Sequence, residues 1–423
     1  MSIVKYEAAE QSVARYKAGF FDQSLEGYSV RPTKINLNPA VRSLFYYPKE
    51  NCLLVSHIQN GRLHIIDLTT GKTRFHDQHG RTIRKVGVFR NEIITASWDA
   101  SVRVVDFNSL APRLFLTDDM MGRTPFFFVS EEENAVYVFC YDSDKDVECL
   151  SNRIRKWSLE TGELLGITGD TGNHISFLSS GSTLVHENRL YVVSDSGYLT
   201  IHDPVSMQII DRLFINENLR TFCCVPAFGL LAIADLNGYV HLFDIRRNCL
   251  AGENRCHFSD ISSIKAHPSK PDVIITSSFD GTVKFWELPD FRQTVHADTG
   301  GQHLWTFTLK NDLLITGGDN GDIWVFDTSD PEGCSLRGIM NVLHDSIAVR
   351  KEGSKNFYTN DITNFELIND KTNQPATGKQ AEYLLNLCNS ESVIREVFHT
   401  DSDMDFLLQE PERFCLQLKD TFS

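Results

Sequence analysis

The chain has 423 residues, 41% of them apolar and 23% charged, ordinary globular usage that excludes a disordered chain. Its 41 Lys and Arg against 56 Asp and Glu leave a formal charge of −15, a field that repels phosphate backbones and argues against direct nucleic-acid binding. At ~150 residues per domain, this length allows two or three domains or one repeat array.

From the N-terminus, residues 5–18 place Tyr6, Ala9, Val13 and Tyr16 on one helical face, with Gly19 as a stop signal. The opening segment carries charges where a signal peptide has an apolar core. The longest apolar run, 222–234, contains Pro226 and Gly229 and is too short for a membrane span. The ten cysteines form no C-x-x-C pair, and no Asn-x-Ser/Thr sequon occurs. These features predict structural thiols and an intracellular, cytoplasmic or nuclear chain. Residues 29–37 (SVRPTKINL) alternate like a strand.

A motif then recurs: a strand, a tight turn, and a second strand ending in an acid. It reads LLVSHIQNGRLHIID at 53–67, IITASWDASVRVVD at 93–106, and LSNRIRKWS, second strand only, at 150–158. It continues as YVVSDSGYLTIHD at 191–203, LAIADLNGYVHLFD at 231–244, VIITSSFDGTVKFWE at 273–287 and LLITGGDNGDIWVFD at 313–327. Asn-Gly, Asp-Gly and Ser-Gly between alternating strands are hairpin signals. The turn markers fall at 61, 100, 152, 197, 238, 281 and 321, and a period near 40 residues is that of propeller blades.

These units resemble the WD40-repeat β-propellers over about residues 41–330. The sixth matches best, with His257, a strand hydroxyl at Ser278 or Thr276, Asp280 and Trp286. The resemblance implies that these side chains form a buried hydrogen-bonded tetrad, with Ser278 taken as its hydroxyl. The second unit keeps His79, Ser97 and Asp99 but has Val105 for Trp. Asn60, Ser196, Asn237 and Asn320 replace the turn acid elsewhere, which predicts blades held by apolar packing alone.

The fold expected is therefore an all-β propeller of seven blades, or eight if residues 335–369, which imitate the unit, form another. Residues 29–37 are expected to supply the outermost strand of the last blade. Predicted divisions are a helical extension at 1–28, the propeller at 29–370 and a helical, acidic tail at 371–423. In that tail Ala381, Leu384, Leu385 and Cys388 form one stripe, and Val393, Ile394, Val397 and Phe398 another.

Several chemical motifs fail on their residues. Thr70-Gly71-Lys72-Thr73 ends like a phosphate loop, but Ile66 stands where its first Gly belongs. The Gly317-Gly318 pair lies in a hairpin, with no helix behind it to bind a dinucleotide. Asp142, Asp144 and Asp146 have Val147 in place of the calcium loop's Gly, and Asp401, Asp403 and Asp405 have Phe406. Ile245-Arg246-Arg247-Asn248 lacks the Phe and Gly of lipid-binding propellers. No cofactor or catalytic constellation is expected.

The functional expectation is a non-enzymatic scaffold or adaptor that binds other proteins. A substrate receptor of a cullin-RING ubiquitin ligase is the alternative, because LAIADLNGYVHLFDIR (231–246) resembles that family's box through Asp244 and Arg246. The partner surface predicted is the face carrying the hairpin turns, through Trp98, Asp195, Leu236, Phe279 and Asp319. Its acids predict a basic peptide or loop as the partner.

Overall fold

The computed structural model describes residues 28–32, 40–58, 61–123, 126–144, 147–169, 183–186, 188–194, 196–330, 333–343, 346–352, 357–359, 365–369, 374–375, 389–390 and 392–399. Each sequence unit folds as an antiparallel sheet, and seven sheets form a seven-bladed β-propeller. Blades 1 to 7 cover 41–77, 83–116, 126–167, 183–214, 219–255, 261–298 and 304–359. Six of the seven predicted turn markers fall between the two middle strands of a blade, for example between Val273–Ser278 and Thr282–Glu287 in blade 6. The marker at 152 does not: Asn152 lies within the strand Val147–Ser158, paired with Tyr141, because the blade 3 strands run longer and turn earlier in the sequence. The turns demand positive φ. Gly197, Gly238, Gly281 and Gly321 supply it, and Ala100 adopts it at +65° without a glycine's freedom.

The acid that ends each unit has a local cause. Asp67, Asp106, Asp203 and Asp244 each accept hydrogen bonds from the backbone N–H groups two and three residues on. Asp327 does the same for Ser329 alone. The carboxylate thereby closes the turn into the outer strand.

Among the described residues, seven apolar clusters fill the gaps between neighbouring blades. The period-two strands send one set of side chains to each neighbour, so no blade has a core of its own. The innermost strands present edges to the central channel, where unpaired N–H groups are a liability. Hydroxyls from adjacent blades cover them: Val86 N–H donates to Ser43 Oγ (3.1 Å), and Leu44 and Tyr46 N–H to Thr306 and Thr308 Oγ1 (3.4 and 3.3 Å).

Ring closure differs from the expectation. The fourth strand of blade 7 is Ser335–Leu343, and Ser346–Lys351 and Phe357–Thr359 extend that sheet to six strands. Residues 335–359 therefore enlarge the seventh sheet and do not start an eighth blade. Tyr28–Pro32 pairs with Phe365–Asn369 in a separate sheet. The edge that residues 29–37 were to fill is already taken by a strand that reaches it through a short local connection, entropically the easier route.

Blades 7 and 1 meet through side chains. A seven-residue helix, Ser392–Phe398, buries Val393, Ile394, Val397 and Phe398 against Met340, Val349 and Tyr358 of blade 7 and Leu68 of blade 1. The Tyr358 hydroxyl donates to Thr70 O (3.2 Å), and Lys351 pairs with Glu396 at 2.7 Å. Added side-chain bulk at Gly317 would meet Val41 at 2.8 Å, and at Gly318 the His303 carbonyl at 2.1 Å. Gly317 is thus a close-packing residue of the closing seam, while Gly318 lets two strands of blade 7 itself approach. The predicted helix at 5–18, the stripe at 381–388 and the acidic stretch at 401–412 lie outside the described residues, and no helix among those described is long and apolar enough to cross a membrane.

Candidate functional site: polar blade networks and the bulged rim

In blade 6 the strand hydroxyl is Thr276, and this corrects the choice of Ser278. Trp286 Nε1–H donates to Thr276 Oγ1 (2.9 Å), which lies 2.7 Å from His257 Nε2, while His257 Nδ1 lies 3.0 Å from Asp280. Ser278 shares Thr276's strand face but stands two residues nearer the turn. There its hydroxyl donates to Ser259 O and accepts Asp280 N–H. Burial lowers the His257 pKa against the pull of Asp280. Burial also works against the Asp280 carboxylate, yet hydrogen bonds from His257, Thr282 and Phe258 hold it far below the usual range. The pair is therefore a neutral imidazole donating from Nδ1 to a carboxylate. Blade 2 repeats this with His79, Thr95 and Asp99, and Ser97 again bonds only to local backbone. Burial opposes ionisation of Asp99, but His79 and Ser101 bring its pKa to about 2.

Blades 4, 5 and 7, which lack the turn acid, do not rely on apolar packing alone; Asn60 of blade 1 lies outside the described residues. In blade 5 the acid has moved two residues earlier. Asp235, fully buried, accepts Asn237 and Tyr239 N–H and Asn216 Nδ2, with His241 Nε2 at 3.2 Å. In blade 7 it has moved two residues later, to Asp322, which takes hydrogen bonds from Asn320 and Asn341. Blade 4 uses the Ser194 hydroxyl, which accepts Tyr198 N–H. Cys223 and Cys224 pack into clusters on opposite faces of blade 5, and the described cysteines are free thiols.

The predicted partner residues do not form one patch. Phe279 and Asp319 are brought together by Trp305, whose ring meets Phe279 edge-on at 4.5 Å and whose indole N–H donates to Asp319. Phe279 also stacks on His303, which pairs with Asp319 at 3.2 Å. Trp98 stands apart, half-buried between the guanidinium groups of Arg84 (4.5 Å) and Arg123 (5.5 Å). Leu236 is half-buried and gives its N–H to Asn218 O. Asp195 lies outside the described residues.

A β-bulge creates this rim. In blades 1, 2, 5, 6 and 7 the second residue of the innermost strand is skipped in the pairing register, namely Arg42, Arg84, Arg220, Ser262 and Trp305. Such a bulge re-aims the extra side chain. Arg42 lies 4.1 Å over Trp305, and Arg220 lies 5.1 Å over Phe279 and pairs with Asp260 at 3.4 Å. These arginines reverse the charge argument for a basic partner, because Asp319 is already engaged by Trp305 and His303. The recurring triplets Val41-Arg42-Ser43, Ile83-Arg84-Lys85 and Leu219-Arg220-Thr221 carry the signal in the sequence. A repeat frame anchored on the hairpin turns passes over them.

Comparison with known proteins locates the fold and no more. No family model matches the chain, and no curated protein does. Among solved structures it resembles the computationally designed Ika8 protein, a propeller, with a TM-score of 0.55 and 15% identity over 75% of this chain and 94% of that one. With 1785 solved chains matching, the architecture is too widely shared to single out a function.

Proposed function

We propose that the chain is a diverged WD40-type propeller that acts as a non-enzymatic interaction platform in a multiprotein assembly, inside the cell. The observation that supports this is the rim itself: Trp98, Phe279 and Trp305 interleaved with Arg42, Arg84, Arg123 and Arg220. Aromatic and arginine side chains are the commonest anchors of protein interfaces. Their charge suits an acidic partner segment. The cullin-ligase reading gains nothing from Asp244, whose carboxylate caps its own turn as its counterparts do in other blades.

The test is the double variant Trp98→Ala/Phe279→Ala. Proteins captured from the native cell by the wild-type and variant chains are quantified side by side. Partners held by the rim are expected to fall by roughly thirtyfold or more, the scale of losing an interface anchor worth about 2 kcal/mol. Unchanged capture by a folded variant would place the partner site elsewhere.

A further inference from the structure

The central channel holds a cavity of about 460 Å3 walled by the innermost strands of blades 1, 2, 3, 6 and 7. Four of its lining side chains are basic, Arg42, Arg84, Lys85 and Lys265, and none is acidic. In a chain of net charge −15 this is a local reversal of sign. The bulge register stacks the cations on three levels. Arg42 and Arg84 occupy the bulges at the mouth, Lys85 stands one residue further in, level with Ser43 and Thr306, and Lys265 two residues deeper, level with Thr308.

Neighbouring groups leave much of this charge uncompensated. Arg42 is only 4% exposed, and its Nε and Nη1 have no hydrogen-bond partner among the described residues. The Lys85 ammonium lies 3.6 Å from the Phe126 ring centroid, and no described carboxylate pairs with it. Lys265 donates to Phe307 O. Both lysines are half-buried, their ammonium groups surrounded by protein. Burial accordingly pulls Lys85 well below the ordinary ammonium range, aided by the Lys265 charge, and brings Lys265 to about 8. Cations held in a protein wall without a counter-charge are costly, and apolar side chains of similar size would fill the same space without that cost. The cavity volume is that of a small-ligand site.

We propose that the channel binds a small polyanion, a molecule with clustered phosphate or carboxylate groups, held between Arg42 and Arg84 at the mouth and Lys85 and Lys265 within. The site shares Arg42, Arg84 and Trp305 with the rim and extends below it to Lys85 and Lys265; Trp98 and Phe279 are not among its walls. A forked guanidinium suits either anionic group, and ammonium groups below it accept charge without demanding one geometry.

The experiment is isothermal titration of the full chain at low ionic strength with tripolyphosphate, with citrate in a parallel arm. Saturable binding of one molecule per chain, weakening as salt rises, is expected. The stronger of the two arms identifies the anionic group. Lys85→Met and Arg42→Gln should each weaken binding by about tenfold or more, the scale of one charge-assisted hydrogen bond. Arg247→Gln, on an exposed turn, should leave it unchanged; the titration uses small anions and no partner protein, so its outcome does not depend on whether the rim binds one. If Lys85→Met does not fold, Lys265→Met replaces it. No saturable heat in either arm, equal binding by wild type and both channel variants, or tighter binding of a glutamate-rich peptide than of either small anion would overturn the proposal.

Discussion

Blades 6 and 7 are neighbours built on the same frame, yet they are held by different means. Blade 6 keeps the His257–Thr276–Asp280–Trp286 network and ends after four strands. Blade 7 has Gly317 at the register position of Ser277, and its acid has moved to Asp322. It runs to six strands and takes the helix Ser392–Phe398 onto its apolar side. Where the signature residues remain, a blade is tied internally by short-range hydrogen bonds. In blade 7, where they are gone, contacts far apart in sequence are added, such as Tyr358 to Thr70 and His399 to Leu68. The ring closes through that second kind of contact.

The comparison breaks most visibly at Phe398. The side chain is fully buried in the cluster shared by blades 7 and 1, so Phe398→Ala should cost about 3–5 kcal/mol by the usual penalty for emptying an aromatic site. Urea unfolding measures this directly. A loss below about 0.5 kcal/mol, as for an exposed residue, would mean that the helix is an appendage and that the seam closes without it.

Next in size is the network of blade 6. Thr276→Val preserves shape but strands Trp286 Nε1–H and the His257 acceptor, at roughly 1–3 kcal/mol for each buried group left unpaired. Ser278→Ala removes only a turn hydroxyl and should cost about 1 kcal/mol. Equal losses would show that the two hydroxyls share the role that the hydrogen bonds give to Thr276.

A smaller effect tests the seam from blade 1. Gly71 has φ +72°, and a Cβ there would stand 2.4 Å from the Tyr358 ring. Gly71→Ala should therefore cost ~1–3 kcal/mol through overpacking. In a Tyr358→Ala background only the backbone strain, about 1 kcal/mol, should remain. Additive losses in the double-mutant cycle would mean that the two residues do not meet.

How much of this was legible follows from where each signal sits in the sequence. The hairpins were readable because their turn residues and alternation are local, and the reading located both middle strands of every blade but the third, where it found only the strand that ends at Ser158. The seam was not, because which chain segment covers the edge of blade 7 depends on competition between Ser335–Leu343 and residues 29–37, and periodicity is blind to it. Asp235 and Asp322 were missed for a related reason: a carboxylate two residues out of register still serves the turn, Asp235 through the Asn237 and Tyr239 amides and Asp322 through the Asn320 side chain. The arginine rim was missed because a bulge shifts its residues out of the strand alternation.

The last and smallest expected effect separates a histidine with an acid partner from one without. His57, in blade 1, is buried and its Nε2 has no hydrogen-bond partner among the described residues. Burial, with His64 edge-on beside it, lowers its pKa from 6.5 to about 3. Between those two values the unfolded chain binds a proton that the native chain refuses, so stability falls as pH falls through the window and is flat above it. One such group lowers stability by about 1 kcal/mol between pH 6.5 and 5.5. His202, lowered by burial to about 4, adds a second contribution of the same sign. His57→Leu should remove one proton's share of the slope and leave the remainder. Urea midpoints at pH 6.5, 5.5 and 4.5 give the comparison, and a variant with the wild-type slope would show that His57 takes up its proton in the folded state.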